Sequence, residues 1–176
     1  MKTDSNTLNL STLGDMGLYV HIPFCKQKCM YCDFPAYQNL QDYYETYVYA
    51  LVQEIDLWVF EHPESTSKAI DTIYFGGGTP TELSIQQLQM ILDKIKNTFT
   101  IIDDCHMTIV NNCKSIFDTI IDDCHMTIES NPGEVNLHYL TKLVKLGFNR
   151  ISFGVQTFDD KARTMLHRSH NGEQAK

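Results

Sequence analysis

Long apolar runs, an N-terminal leader and an excess of basic residues are all missing from this sequence. No uninterrupted apolar stretch approaches the roughly 18–20 residues that cross a bilayer, so no transmembrane segment is expected. The segment from Met1 to Gly17 contains an acid at Asp4 and no apolar core, unlike a secretory signal. The 14 Lys and Arg residues are outnumbered by 22 Asp and Glu, for a net charge of -8, which argues against nucleic acid as a partner. These absences predict a soluble, cytoplasmic protein.

The composition that remains is that of a folded domain. The chain has 176 residues, of which 43% are hydrophobic and 20% are charged. Both values are ordinary for globular proteins. The length corresponds to about one domain and suffices to bury a core.

Cysteines cluster at one point of the chain. There are six: Cys25, Cys29, Cys32, Cys105, Cys113 and Cys124. The first three fall within eight residues. In a chain with no sign of secretion, clustered cysteines favour metal binding or chemistry over disulfides.

An exact repeat interrupts the chain. The decamer TIIDDCHMTI occurs at 100–109 and again at 119–128. Two copies are too few for a solenoid, so we interpret them as a local tandem duplication. Only the second copy runs into Glu129-Ser-Asn-Pro132, and it is therefore expected to occupy the sheet. The first copy and residues 110–118 should then form a loop, a hairpin or an extra edge strand.

Strand and helix patterns alternate along the rest of the sequence. Short β-rich segments occur at residues 18–22, 70–75, 125–128 and 150–155. Helical apolar stripes or caps occur at 40–60, 84–95 and 136–147, followed by a polar-apolar segment at 159–166. This alternation predicts an α/β fold of about four βα units with a parallel sheet, either open or closed into a barrel.

The cysteine cluster has the spacing Cys25-x3-Cys29-x2-Cys32 and follows the first predicted strand. Three thiolates without a close fourth suit a 4Fe-4S cluster with one open iron, because thiolates hold cluster irons. Two alternatives stay open. One is a structural zinc site completed by His21 or a remote cysteine, and the other is a set of unliganded thiols.

Three further polar or glycine motifs follow predicted strands. Gly76-Gly-Gly78 could bring backbone N–H groups close to a ligand, although such a run is more often a tight turn. Glu129 and Gln156 also lie at strand ends, where isolated polar residues are commonly just solvated. Ligands bind at the carboxyl edge of parallel sheets, so these motifs and the cysteine loop are expected to converge there.

The ordered motifs resemble a known family. Tyr19-Val-His-Ile-Pro-Phe-Cys25, Gly76-Gly-Gly-Thr-Pro80, Glu129-Ser-Asn-Pro132 and Gly154-Val-Gln156 are similar to radical S-adenosylmethionine (SAM) proteins of the oxygen-independent coproporphyrinogen III oxidase group. The resemblance runs from Leu18 to Ala175, broken by the duplicated segment.

This resemblance implies a partial (β/α)6 radical SAM barrel and two cofactors. Cys25, Cys29 and Cys32 would hold a 4Fe-4S cluster whose open iron binds SAM, and one-electron reduction would cleave SAM to a radical. By motif position, the implied SAM contacts are Tyr19, Tyr31, Gly78, Thr79, Glu129, Gln156 and Arg168. It also implies that residues 1–16 are an N-terminal extension and 17–176 the N-terminal part of the core, with the duplicated segment at 100–128. A C-terminal domain is expected to be absent.

The residue two positions after Cys32 separates branches of the group. The coproporphyrinogen dehydrogenases carry a fourth cysteine there, whereas this chain has Phe34, as in the heme chaperone (HemW) branch. The resemblance therefore implies a heme chaperone whose partners are heme or porphyrin, heme-accepting proteins and an electron donor to the cluster. The alternatives are a coproporphyrinogen III dehydrogenase and an inactive fragment.

Overall fold

The computed structural model describes residues 16–102, 125–168 and 173. Within these residues, strands and helices alternate as the sequence predicts. The strands are β1 Met16–Ile22, β2 Ala69–Gly77, β3 Thr100–Ile101, β4 His125–Ser130 and β5 Arg150–Phe153. The helices are α1 Tyr44–Glu61, α2 Ile85–Thr98, α3 Leu137–Leu146 and α4 Asp160–Met165.

The sheet is parallel, and its longer strands follow one another in chain order. The spatial order is β1-β2-β4-β5, while the two-residue β3 pairs with the beginning of β2. Adding each strand on the same side of the previous one is the topology of a (β/α) barrel, whereas a doubly wound sheet reverses direction at a switch point. The predicted α/β class and partial barrel are therefore confirmed.

Local signals in the sequence determine where the central helices begin and end. Ser84 accepts a hydrogen bond from the Gln87 backbone N–H, and the Gln87 side chain accepts one from the Ser84 N–H, which completes a capping box. Asn136 caps α3 by accepting from the Tyr139 N–H at 2.9 Å. Gly147 ends α3 with a φ of 103°, a left-handed conformation that glycine adopts without strain.

Several element boundaries differ from the sequence expectation, and two of these differences change the type of local structure. The apolar stripe predicts a helix from about residue 40, but Gln41–Tyr43 form a 3-10 turn and α1 begins at Tyr44. The last predicted strand extends to residue 155, but β5 ends at Phe153. The chain turns beyond it, since Gln156 has a φ of 64°.

The hydrophobic core lies between the helices and one face of the sheet. Helix α2 contributes the most regular set, which follows the i, i+3, i+4, i+7 spacing of one helix face and is completely buried: Leu88, Ile91, Leu92 and Ile95. Phe75 of β2 packs edge-on against Phe148 with ring centroids 5.2 Å apart. Replacing a fully buried Leu or Ile here by Ala would cost about 2–5 kcal/mol.

The opposite face of the sheet is polar. Tyr19, Tyr74 and Thr127 are paired across β1, β2 and β4, so their side chains share this face. Glu129 is two residues beyond Thr127 and projects from the same face. We call this polar side the inner face of the sheet.

The described part of the second copy, residues 125–128, occupies the sheet, as predicted. This segment lies within β4, which pairs with both β2 and β5. Of the first copy, Thr100–Ile101 pairs with Ala69 and Ile70 at the start of β2. Residues 103–124 lie outside the described residues, and so do Cys105, Cys113 and Cys124. Among the described helices, none combines the length and apolar character needed to cross a membrane.

Candidate functional site

The cysteine loop begins directly after β1 and is closed at its base by backbone hydrogen bonds. The Cys25 N–H donates to the Tyr37 carbonyl at 2.9 Å, and the Tyr37 N–H donates to the Pro23 carbonyl at 2.7 Å. Within the loop, the Cys32 N–H donates to the Cys29 carbonyl at 3.1 Å. The loop is thus anchored to the carboxyl end of β1, at the edge of the sheet where ligand sites form.

The three thiols of the loop are reduced and only partly buried. Cys25 Sγ lies 3.5 Å from Thr79 Oγ1, and the Arg168 Nη1 donates to Cys29 Sγ at 2.9 Å. Burial raises the pKa of Cys25, while the Thr79 hydroxyl partly offsets this increase. Three thiols in one loop are a suitable donor set for iron-sulfur irons. Among the described residues, the structure contains no group of three or more His, Cys, Asp or Glu side chains placed closely enough to hold a metal ion.

Arg168 connects the cysteine loop to the ends of β4 and β5. Besides Cys29, its Nη1 donates to Tyr31 Oη at 3.3 Å. Its Nη2 donates to Asn131 Oδ1 at 2.8 Å and to the Gly154 carbonyl. The two terminal nitrogens of one guanidinium thereby join three separate loops, using the four N–H donors that they carry. By residue type alone it would be assigned to the surface, and the family resemblance singled it out.

Asn131 is a site residue that the sequence analysis did not single out. Its Nδ2 donates to Thr79 Oγ1 and to Glu134 Oε2, both at 3.0 Å, while its Oδ1 accepts from Arg168. The amide orientation follows from these partners, because the carboxylate needs a donor and the guanidinium an acceptor. Its position inside the Glu129-Ser-Asn-Pro132 motif was the available signal.

The glycine run at 76–78, whose first two residues end β2, is packed tightly against the start of the cysteine loop. A Cβ on Gly78 would lie 2.5 Å from the Phe24 carbonyl oxygen, closer than any real contact. The Gly78 N–H donates to the Ile22 carbonyl at 2.8 Å, and the Thr79 N–H donates to the Phe24 carbonyl at 2.7 Å. Glycine at 78 therefore allows a close backbone approach, and both amides are used within the chain.

Glu129 lies on the inner face, where two donors from β2 hold it. The Tyr74 hydroxyl donates to Glu129 Oε1 at 2.7 Å, and the Gly77 N–H donates to Oε2 at 3.3 Å. Burial and Glu129 together raise the pKa of Tyr74 to about 12. Burial, followed by the charge of Glu129, also raises the pKa of Tyr19. No sequence motif includes Tyr74, although its place two residues before Gly76 puts it on the inner face.

His21 links Tyr19 to the far end of the cysteine loop. Its Nε2 is 3.0 Å from the Pro35 carbonyl, which can only accept, so Nε2 carries the proton. Its Nδ1 then accepts from the Tyr19 hydroxyl at 3.0 Å. His21 therefore has a structural role in positioning this loop.

The predicted site residues form one connected group with an exposed rim. Hydrogen bonds join Cys25, Cys29, Tyr31, Thr79 and Arg168, and Glu129 adjoins the same glycine run. Gln156 lies on the rim and is exposed. The Gln156 side chain lies next to Gly154, because a Cβ added at Gly154 would be 3.6 Å from Gln156 Nε2. The convergence of the motifs at the carboxyl edge of the sheet is thus observed, whereas their ligands remain predictions.

Sequence comparison identifies relatives that span almost all of this chain. The heme chaperone HemW of Haemophilus influenzae is 34% identical over 167 residues, which is 93% of this chain and 38% of that protein. The HemW of Escherichia coli is 32% identical, with 93% of this chain and 38% of that protein covered. The oxygen-independent coproporphyrinogen III oxidase of Escherichia coli is 30% identical, with 90% and 30% covered. The chain spans less than two fifths of the length of these relatives.

A solved structure and a family model agree with these sequence relatives. The coproporphyrinogen III oxidase HemN from Escherichia coli, described as a radical SAM enzyme, superposes with a TM-score of 0.71 at 29% identity. The superposition covers 90% of this chain and 32% of that one. The sequence model of the Radical SAM superfamily matches residues 19–176. The chain therefore belongs to the radical SAM superfamily, and it is similar to HemW and HemN.

Proposed function

We propose that this chain is the cofactor-binding part of a heme chaperone. In this proposal Cys25, Cys29 and Cys32 bind a 4Fe-4S cluster, SAM binds beside it, and the protein delivers heme to acceptor proteins. The observation that carries the proposal is the Arg168 guanidinium, which joins the cysteine loop to the ends of β4 and β5. A solvated surface arginine would have no reason to bridge these elements.

The cluster side of the proposal rests on the chemistry around the thiols. When bound, a 4Fe-4S cluster supplies the electron for reductive cleavage of SAM. Arg168 donates to Cys29 Sγ, and Cys25 Sγ lies beside the Thr79 hydroxyl. Such neighbours stabilise negative charge on sulfur and adjust the reduction potential of a cluster.

The SAM side rests on complementary charges at the same edge. Both terminal nitrogens of Arg168 already donate within the chain, which leaves its buried Nε–H as the donor available to the SAM carboxylate. Glu129 presents an acceptor for ribose hydroxyls or an amine. Tyr19, Tyr31, Gly78, Thr79 and Gln156 complete the proposed contacts. All of these lie at the carboxyl edge or on the inner face, opposite the hydrophobic core.

The assignment to the chaperone branch rests on Phe34 and on the HemW relatives. Phe34 is 63% exposed and occupies the position that a fourth cysteine would take in the dehydrogenase branch. The proposed partners are heme or porphyrin, heme-accepting proteins and an electron donor. We also propose a cytoplasmic location, because cysteines clustered for metal binding are typical of a reducing compartment. The competing function is a coproporphyrinogen III dehydrogenase, favoured by the TM-score of 0.71 with HemN.

Anaerobic reconstitution with iron and sulfide tests the cluster assignment. We expect absorbance near 400 nm and, after reduction, an electron paramagnetic resonance signal that changes when SAM is added. Cys29→Ala should abolish both signals, whereas the matched control Cys113→Ala, outside the loop, should retain them. Retention of the signals in Cys29→Ala would refute the assignment.

The reconstituted protein then distinguishes the functions. A new Soret band on titration with heme, followed by transfer of that heme to an acceptor protein, is the result that the chaperone proposal requires. Conversion of coproporphyrinogen III to protoporphyrinogen IX would favour the dehydrogenase instead. If neither occurs although the cluster forms, the chain is an inactive fragment.

A further inference from the structure

We propose that Tyr74 is a positioning residue that fixes the Glu129 carboxylate toward the bound cofactor and so determines how tightly its hydroxyl or ammonium donors are held. This inference rests on the proposed function, in which Glu129 is a SAM contact. Tyr74 itself need not touch the ligand. Its effect passes through the one hydrogen bond that it donates.

The pairing of β2 with β4 brings the two side chains together. Tyr74 is directly paired with Thr127, and Glu129 follows two residues later on the same face. The Tyr74 hydroxyl reaches Glu129 Oε1 at 2.7 Å, while the Gly77 N–H, three residues along β2, reaches Oε2 at 3.3 Å. Two donors on one rigid strand, each holding a different oxygen, define both the position and the rotation of the carboxylate.

Gly76 provides the space in which this contact forms. A Cβ at this position would lie 2.8 Å from Tyr74 Cε1, 3.1 Å from Glu129 Oε2 and 3.1 Å from Tyr19 Cε2. The ring of Tyr74 and the Glu129 carboxylate therefore pack directly over the bare backbone. The Tyr19 ring, with its centroid 6.1 Å from that of Tyr74, borders them on the other side.

The hydroxyl of Tyr74 is a permanent donor under physiological conditions. Its pKa, raised to about 12 by burial and by Glu129, keeps the proton on oxygen at neutral pH. An ionised carboxylate offers about four acceptor sites, and the two hydrogen bonds from β2 use two of them. The remaining sites can accept from ligand donors, which for a nucleoside means vicinal hydroxyls or an ammonium group.

Tyr74 lies outside the hydrophobic core, so its hydroxyl is not needed for packing. The buried residues of β2, such as Ile73 and Phe75, face the helices, whereas Tyr74 is half-buried on the inner face. Its electrostatic neighbours there, besides Glu129, are Tyr19 and Arg150. Removing only the hydroxyl should thus leave the fold intact and release the carboxylate.

Tyr74→Phe and a matched control test the proposal. Tyr44→Phe removes the same group, because the Tyr44 hydroxyl also donates to a carboxylate, Glu82 Oε2, at 3.3 Å. SAM binding to the reconstituted protein is measured by calorimetry for both. We expect about fivefold weaker binding in Tyr74→Phe, about 1 kcal/mol, and no change in Tyr44→Phe. Unchanged binding in Tyr74→Phe, or equal losses in both variants, would overturn the proposal.

A double-mutant cycle separates positioning from a direct role. Glu129→Ala should weaken binding at least tenfold, and adding Tyr74→Phe to it should cause no further loss. An equal loss in the presence and absence of Glu129 would show that Tyr74 acts independently, which would contradict the positioning role. If Glu129→Ala binds SAM normally, the proposed function fails at this residue. If Glu129→Ala weakens SAM binding but Tyr74→Phe does not, the proposed function stands and the positioning role fails.

Discussion

Gly78→Ala should destabilise the chain strongly, because the new methyl group would meet backbone atoms. The added Cβ would lie 2.5 Å from the carbonyl oxygen of Phe24 and 2.9 Å from its nitrogen. Backbone cannot rotate away as a side chain can, so the turn itself must move. That movement would strain or break the hydrogen bonds that Gly78 and Thr79 donate to Ile22 and Phe24, at 2.8 and 2.7 Å.

The cost of this displacement can be estimated from its parts. Overpacking typically costs about 1–3 kcal/mol, and each weakened backbone hydrogen bond adds about 0.5–1.5 kcal/mol. A loss of about 3 kcal/mol is therefore expected. For a chain of this length that corresponds to a melting temperature roughly 6–12 °C lower.

Gly17→Ala is the matched control, since its Cβ would have no neighbour closer than 3.9 Å. It should be neutral or stabilise the chain by up to about 1 kcal/mol, because alanine restricts the unfolded state. Thermal melts followed by circular dichroism compare the two variants with the unmodified chain. Melting of Gly78→Ala within about 2 °C of Gly17→Ala would refute the packing argument.

Three further predictions concern the site network, alkaline stability and the repeat. Asn131→Leu should lower the free energy of unfolding in urea by about 1–3 kcal/mol, because it leaves the partners of the amide unpaired. Asn97→Leu, at an exposed position of α2, is the control and should change the free energy of unfolding by less than about 0.5 kcal/mol. The free energy of unfolding in urea should also fall as the pH rises from about 10 to about 12. In this range, tyrosines whose pKa is raised in the folded state keep protons that the unfolded chain releases. A constant free energy of unfolding over this range would contradict the prediction. The tyrosines with a pKa of about 12 are Tyr44, Tyr47 and Tyr74. Deleting residues 110–128 should leave the melting temperature unchanged or raise it, because the first copy of the repeat can supply an identical strand. A lower melting temperature would mean that the deleted residues stabilise the fold.

Most of the fold could be predicted from the sequence because its signals are local. The capping box at Ser84 and the glycine at 147 act within a few residues, and both appear in the structure as predicted. General rules of chain connection predicted a parallel sheet, whereas the partial barrel was implied by the family resemblance. The start of α1 was less predictable, because a 3-10 turn and an α-helix share the same apolar spacing over so few residues.

The site was predicted only where a motif marked it. The cysteine loop and the glycine run are visible as unusual spacings in the sequence. Tyr74 lies in no motif, and although Asn131 lies in the Glu129-Ser-Asn-Pro132 motif, its role was not visible because its partners are remote in sequence. The hydrogen bond between Tyr74 and Glu129 spans 55 residues, and the one between Asn131 and Thr79 spans 52. Such pairs depend on the register between β2 and β4, which composition and periodicity do not specify.

The positions of β3 and β4 along β2 determine where the chain can accept inserted residues. Ile101 pairs with Ile70 and His125 with Thr72, so the two described ends of the repeat region are attached within two residues of each other along β2. That junction is at the amino end of β4, whereas Glu129 and Asn131 are at its carboxyl end. The entropic cost of closing a loop rises only slowly with its length, and the attachment points lie at the opposite end of β4 from Glu129 and Asn131. The junction is therefore a permissive insertion point, open to evolutionary growth or to an engineered reporter.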